Sequence, residues 1–424
     1  MAFKLLYITR YATLMKSVYT SDNNRIFLDG SGRGLNYCPI PYFYLEKRMD
    51  FSFSDEQSML QDSVQRFIQN DYSFENRQKL LASEEGFSRD NWASFAELGW
   101  LALPFDEADG GFGGTAIEMM ILMEEFGKGL IVEPYLSSIV MTASLIAEAG
   151  LDEQKETLLQ PILQGQKLGA LAFVEPQARF NLADVKTIAV RDSGGFRING
   201  FKGVVLGGPS ADFLLVPART SGSQTDEEGI TLFIVDADSS GIHRRNYPTI
   251  DGFRASEVTL QDVVVESDAV LGEMDKGLGL LQFGIDQAIM AVGAEATGAM
   301  EVLYKATVEY CKTREQFGQP IGKFQVLQHR MVDMFIEHEQ TKSLAYMAAM
   351  RLAENYDDAS RKSLAALKVQ VGKGGKFVGQ NAVQLHGGMG MTDELSVGHY
   401  FKRLTAIDTL FGNADFHLKR YASF

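Results

Sequence analysis

Cysteine is almost missing from this chain. Cys38 and Cys311 are the only two in 424 residues, and neither stands in a metal-ligand or redox spacing. That scarcity excludes a disulfide framework and fits a reducing compartment. Positive charge is also short: 40 Lys and Arg face 55 Asp and Glu, a formal net charge of −15. A field of that sign disfavours nucleic acid and anionic membrane as partners. No unbroken apolar run approaches eighteen residues, which argues against a transmembrane helix. No His/Cys cluster suggests a metal, no nucleophilic triad stands out, and there is no internal repeat or low-complexity tract.

What is present describes a globular protein, 45% hydrophobic and 22% charged. Its length exceeds one typical core, so two or three domains are expected. Residues 1–48 differ from the rest. They carry seven Lys or Arg against three acids, their Tyr and Leu follow no period, and the first twenty-one residues hold no acid. They read as an N-terminal extension outside the fold; a presequence is the alternative. From Met49 the chain runs Met-Asp-Phe-Ser-Phe-Ser-Asp-Glu-Gln, with Ser54 placed to cap a helix and Gln57 three residues on.

The pattern then divides into three. Residues 49–168 read as helices, with Met59, Leu60, Val64 and Phe67 at helical spacing and a Gly-rich loop at Asp109-Gly-Gly-Phe-Gly-Gly114. A long apolar helix is expected from about Ala116 to Phe126, with Glu124-Glu125 on a solvated face and Trp92 and Trp100 in the core. Residues 169–274 turn to period-two alternation, with a hairpin turn at Asp192-Ser-Gly-Gly195 and an exposed acidic loop from Thr220 to Gly229. Helical spacing returns over 275–424, predicting helices near 280–312, 324–355 and 359–384. Gly372, Gly374, Gly375 and Gly379 in the last of these require closely packed neighbours. Met331, Met334, Met347 and Met350 read as gap-filling core.

Two C-terminal stretches carry the functional signal. Residues 314–329 read Arg-Glu-Gln-Phe-Gly-Gln-Pro-Ile-Gly-Lys-Phe-Gln-Val-Leu-Gln-His, and residues 384–390 read Gln-Leu-His-Gly-Gly-Met-Gly. Together with Glu97-Leu-Gly-Trp100, the loop at 110–114 and Val270-Leu-Gly272, they resemble the acyl-CoA dehydrogenases over nearly everything from Met49 onward. The resemblance implies an α+β fold: an N-terminal helical domain, a middle β domain and a C-terminal helical bundle. It also implies an FAD whose adenine and pyrophosphate end reaches a neighbouring subunit. On that basis Arg314 would donate paired hydrogen bonds to a pyrophosphate. Phe317, Phe324, Gln325, Gln384, Leu385 and His386 would frame the adenine and ribose, and Gly387 and Gly388 would let backbone N–H groups approach phosphate. His329 and His386, taken singly, read as structural.

Elsewhere the chain departs from the family. Where relatives carry a Thr-Glu-Pro-Gly-Ala-Gly-Ser-Asp segment against the flavin, it has Val174-Glu-Pro-Gln-Ala-Arg-Phe-Asn181. After Asn199-Gly-Phe-Lys202, Val204 and Leu206 stand where a Trp and a Thr are expected, and neither offers a side-chain donor to a buried flavin ring. The family's glutamate base, which removes the α-proton of an acyl thioester while the β-hydrogen leaves as hydride, aligns with Phe411. A second site used by some relatives aligns with Ala288. Asp286, Asp408 and Asp415 remain as substitutes, with Asp408 the best candidate and Asp286 read as structural.

The losses fall on groups a subunit offers its own flavin, and the groups offered to a neighbour are kept. The resemblance therefore points to the non-catalytic subunit of a heteromer, similar to the small subunit of pimeloyl-CoA-type dehydrogenases. Its partner would be an acyl-CoA dehydrogenase homologue that binds the acyl-CoA, and its acceptor an electron-transfer flavoprotein. Phe411 and Leu206 would then fill the vacated flavin volume. The alternatives are a self-sufficient FAD enzyme using a displaced carboxylate such as Asp408, and a flavin-free scaffold. The expected location is cytoplasmic, or the mitochondrial matrix if residues 1–48 are a presequence.

Overall fold

A computed structural model describes residues 53–424; the extension read at 1–48 lies outside the described residues. Helix α1 (Asp55–Asp71) begins in the expected capping box. Ser54 Oγ accepts from the Gln57 N–H, and the Gln57 side chain accepts from the Ser54 N–H. Helices α2 (Phe74–Ala82), α3 (Arg89–Glu97) and α4 (Ala116–Gly129) follow. Trp92 and Trp100 are buried among Phe67, Phe95 and Phe126, as their pattern predicts. A π-wound stretch, Tyr135–Ala143, leads into α5 (Ser144–Ala149).

Glu124 and Glu125 correct the sequence reading. Both are buried, not solvated. Lys128 and Lys342 approach Glu124, and Lys128, Gln61 and Gln65 donate to Glu125. Lys128 is a local partner on the same helix, but Gln61 and Gln65 come from α1 and Lys342 from the C-terminal bundle, beyond the reach of any local period; a buried carboxylate needs such partners.

The middle domain is an eight-stranded sheet. Its strands are β1 (Gly169–Leu171), β2 (Ile188–Asp192), β3 (Gly195–Leu206), β4 (Phe213–Arg219), β5 (Ile230–Asp236), β6 (Ile242–Pro248), β7 (Arg254–Glu266) and β8 (Val270–Leu271). The order is β6-β7-β3-β2-β4-β5-β8, with β1 alongside β4. The β2–β3 turn places Ser193 and Gly194 at positive φ, which matches the twist of a two-residue hairpin. Val174 and Val204 form an isolated antiparallel bridge beside the sheet.

Below that bridge, Glu175 holds the segment in place. It accepts from Lys202 Nζ (2.8 Å), Thr187 Oγ1 (2.7 Å) and the backbone N–H of Lys186. Burial opposes its ionisation, yet Lys202 and the hydrogen bonds pull its carboxyl down to about 2.

The C-terminal bundle is α6 (Gly277–Thr313), α7 (Gln325–Glu354), α8 (Asp358–His386), α9 (Ser396–Thr409) and α10 (Ala414–Ser423). By length and hydropathy α6 suffices to cross a membrane, but 67% of its most apolar window is buried inside the protein. It is the central core helix. A Cβ at Gly298 of α6 would overlap the Glu124 carbonyl, so α4 and α6 meet backbone to backbone. The glycines of α8 serve similarly: a Cβ at Gly379 would lie 2.7 Å from the Phe401 ring. Arg403 of α9 ties the parts together. Its guanidinium grips Glu295 of α6 (two bonds of 2.6 Å) and Asp251 of the β6–β7 loop (2.7 Å), and lies 4.1 Å over the Phe253 ring.

Candidate functional site

Two regions carry the sequence-derived residues. The first is an open corner built from the end of α6, the start of α7 and the end of α8. Arg314 follows α6 directly, is exposed, and its side chain makes no hydrogen bond or ion pair among the described residues. A tight antiparallel pair, Glu315–Gln316 with Gln319–Pro320, carries Phe317 at its tip. Phe317 has φ +55° and is 91% exposed, an unusual position for a phenyl ring. Its edge contact with Phe324 (6.1 Å between centroids) leaves one flat apolar surface beside the N-terminus of α7, where Gln325 is the first helical residue.

The second motif meets the first through a residue the sequence reading missed. Tyr310, one helical turn before Arg314, stacks on His386 with centroids 4.4 Å apart. Leu385 and His386 are buried, and His386 Nδ1 lies 2.8 Å from the Ala382 carbonyl. These two residues therefore shape the loop from inside. Gln384, Gly387 and Gly388 face outward, with open space where a Cβ would stand on either glycine. Gly387 has φ +62°, so a side chain there would be strained.

The second region is a cleft of about 1140 Å³ between the sheet and the C-terminal bundle, lined by Val174, Val204, Leu206 and Phe411 among others. Its size corrects one expectation: Phe411 and Leu206 line the space without filling it. Local packing against Phe173, whose ring stacks on Phe411 at 6.3 Å, holds Phe411 to the wall. Phe180, Phe253 and Phe416 also line it. No spacing links these rings in sequence, and only the fold gathers them.

The turn that presents Phe411 is firmly built. Phe411 has φ +58°, and its carbonyl lies 2.9 Å from His417 Nε2. Buried Lys368 donates to the carbonyls of Ile407 (2.8 Å), Asp408 (3.0 Å) and Gly412 (2.7 Å). Burial pushes the Lys368 ammonium down to about 7, against the pull of Asp408. It pushes the His417 imidazole down to about 3.

The substitute carboxylates do not reach the cleft. Asp408 accepts from the Ala414 N–H (3.3 Å) and faces Gly372 on α8. Asp415 is exposed on α10, and Ala288 is buried within α6. Asp286 is buried and bound by Arg420 (2.7 Å to each oxygen) and the Tyr356 hydroxyl (2.9 Å), which is the structural role its position suggests. Among the described residues no cluster suited to a metal occurs.

A dinucleotide such as FAD would meet these regions differently. The open corner offers what a pyrophosphate and an adenine require: an unpaired guanidinium, uncrowded glycine N–H groups, a helix N-terminus and a flat aromatic face. The wall at Val174, Val204 and Leu206 offers a buried flavin ring no side-chain donor. The nearby hydroxyls are already engaged. Thr249 donates to Asp251, Thr405 to the Phe401 carbonyl and Thr409 to the Ala406 carbonyl. The corner fits the cofactor's adenine end; the cleft wall does not fit its ring.

Comparison with known proteins agrees with the three-part fold. The acyl-CoA dehydrogenase family models match in order: N-terminal domain at 54–166, middle domain at 170–263 and C-terminal domain at 275–423. The chain is 31% identical over 364 residues to a short-chain-specific acyl-CoA dehydrogenase of Clostridium acetobutylicum, covering 82% of this chain and 92% of the relative. It is 30% identical over 380 residues to an acryloyl-CoA reductase (NADH) of Anaerotignum propionicum, covering 88% and 94%. Among solved structures it resembles the ChsE4-ChsE5 complex from Mycobacterium tuberculosis, with TM-score 0.80, 25% identity, and 88% and 98% of the two chains covered. The chain belongs to the acyl-CoA dehydrogenase family, FAD-dependent oxidoreductases acting on CH–CH bonds.

Proposed function

We propose that this chain is the non-catalytic subunit of a heteromeric acyl-CoA dehydrogenase and completes the FAD site of a catalytic partner, itself a homologue. The observation that carries the reading is the contrast between the two regions. The corner at Arg314 and Gly387 is open and chemically equipped, whereas the cleft presents Phe411, Val204 and Leu206, and its unpaired lining acids, Glu227 and Glu228, are exposed on the 220–229 loop. The likeness to a solved complex of two differently named proteins supports a two-component assembly.

In that assembly the partner's FAD would supply the hydride acceptor for oxidation of an acyl-CoA. This chain's residues bind and orient. Arg314 would neutralise the pyrophosphate, Phe317 would cover the adenine, and Gln325 and Gln384 would supply amide partners. The N–H groups of Gly387 and Gly388 complete the phosphate cradle. An electron-transfer flavoprotein as acceptor and a cytoplasmic setting go with this reading.

A second reading places the flavin ring in this chain's own cleft, and the volume of about 1140 Å³ favours it. The orientation of Asp408 toward α8 and the engaged hydroxyls count against it. Substituting Arg314 separates the two. In the co-purified complex, Arg314→Ala is expected to weaken FAD retention at least tenfold without changing assembly, with Arg314→Lys restoring only part of it. Unchanged FAD content in Arg314→Ala would remove the basis of the first reading.

A further inference from the structure

The cleft that lacks a base is still a built site. Its deep wall is aromatic and aliphatic, with Phe173, Phe180, Phe253, Phe411 and Phe416 around Leu206. An apolar wall of this extent gains from an apolar ligand contacts that water does not supply.

The guanidiniums of Arg179, Arg361 and Arg420 line the cleft. Phe180 packs on Phe416 at 5.4 Å, and one turn beyond Phe416 stands Arg420. Arg420 and Arg361 both lie over the Phe424 ring, at 6.0 and 5.4 Å, and share the single carboxylate of Asp286. Arg420 takes both Asp286 oxygens at 2.7 Å. Arg361 Nε, 3.5 Å from Asp286, is buried without a hydrogen-bond partner, and its Nη1 reaches only the exposed Asp358. Arg179, adjacent to Phe180, lines the same cleft and makes no ion pair among the described residues. Arg420 and Arg361 are matched by Asp286 and Asp358, so Arg179 is the guanidinium of this lining left without an ion pair among the described residues.

We propose that this cleft binds a free amphiphilic monocarboxylate, its chain or ring system among the phenylalanines and its carboxylate against Arg361 and Arg179. A guanidinium fork suits a single carboxylate. The rim disfavours the polyphosphate of a CoA ester: Glu227 and Glu228 stand on it, and its Lys276 is already paired with Glu273 at 2.6 Å. The ligand is held without turnover. Asp251 is committed to Arg403, and Asp275 accepts from Thr220 and Ser221, which leaves only the exposed Glu227 and Glu228 as unpaired lining acids. The cleft is thus a binding site distinct in ligand from the partner's thioester site.

This inference rests on the reading that no flavin ring occupies the cleft. The test is calorimetric titration of the flavin-free full chain with laurate below its micelle concentration, and separately with lauroyl-CoA. One laurate per chain is expected, at least tenfold weaker in Arg361→Ala and lost in Leu206→Trp, with lauroyl-CoA at least tenfold weaker than laurate. No binding of laurate, affinity unchanged in both variants, or tighter binding of lauroyl-CoA would overturn it. Such a failure in a colourless chain leaves the subunit reading standing, whereas stoichiometric flavin in the lone chain defeats that reading instead.

Discussion

The Tyr310 ring stacks on the His386 imidazole at 4.4 Å with planes 29° apart, and this contact joins two motifs separated by 76 residues of sequence. Arg314 lies one turn from Tyr310, and Gly387 is the neighbour of His386. The corner's geometry therefore depends on a buried contact that touches no cofactor itself. An aromatic pair of this kind contributes roughly 0.5–1.5 kcal/mol beyond its area. Tyr310→Ala is expected to weaken FAD retention by the complex about threefold to tenfold. Tyr310→Phe keeps the ring and loses only a 3.4 Å hydroxyl contact, so it is expected to match the wild type. Fluorescence titration of FAD into the apo-complex measures both.

Arg403 is the second joint. Its charge is buried between Glu295 and Asp251, and removing one member of such a group strands the others. Arg403→Ala is expected to lower stability by about 3–5 kcal/mol. Arg403→Lys should recover little, since an ammonium cannot reach both carboxylates in the same fork. Urea denaturation followed by tryptophan fluorescence reads the loss, because Trp92 and Trp100 lie in the core fused to this network.

Acid sensitivity divides into two windows. The His417 imidazole is held near 3 by burial against an ordinary value of 6.5. Its contribution is present above 6.5 and is lost as pH falls toward 3, because the unfolded chain takes the proton first. Glu175, held near 2 by Lys202 and its hydrogen bonds against an ordinary 4.5, contributes above 4.5 and loses that contribution toward 2. Between pH 6.5 and 4.5 the histidine acts without the glutamate. His417→Gln, which can still donate to the Phe411 carbonyl, is expected to remove up to about 2–3 kcal/mol of pH dependence across that interval. Denaturation midpoints at pH 7 and 4.5 give the comparison.

The fold was largely legible because its signals are local. Ser54 and Gln57 announce a capping box, Asp192 to Gly195 a hairpin, and the spacing after Gly277 a long helix; each is a property of neighbouring residues. The glycines of α8 were legible as a demand for close packing, though not what met it. Glu124 and Glu125 were misread because Lys342, Gln61 and Gln65 reach them from other helices, while Lys128, one turn away on the same helix, is equally compatible with a solvated face. At the site, the exposed motif residues Arg314, Phe317 and Gly387 were legible, whereas Tyr310 and the cleft's phenylalanines were not. These rings converge only through the tertiary fold. The cleft's volume was misjudged for a related reason: side-chain identity says what lines a wall, and only the backbone says how far apart the walls stand.

The account is tested most directly by the visible absorption spectrum and the flavin-to-chain ratio, taken on this chain alone and again after co-expression with a catalytic homologue. It predicts a colourless lone chain and a complex carrying about one FAD per two chains. A lone chain that purifies yellow, with one FAD per chain, would contradict it and place the flavin ring in the cleft beside Phe411.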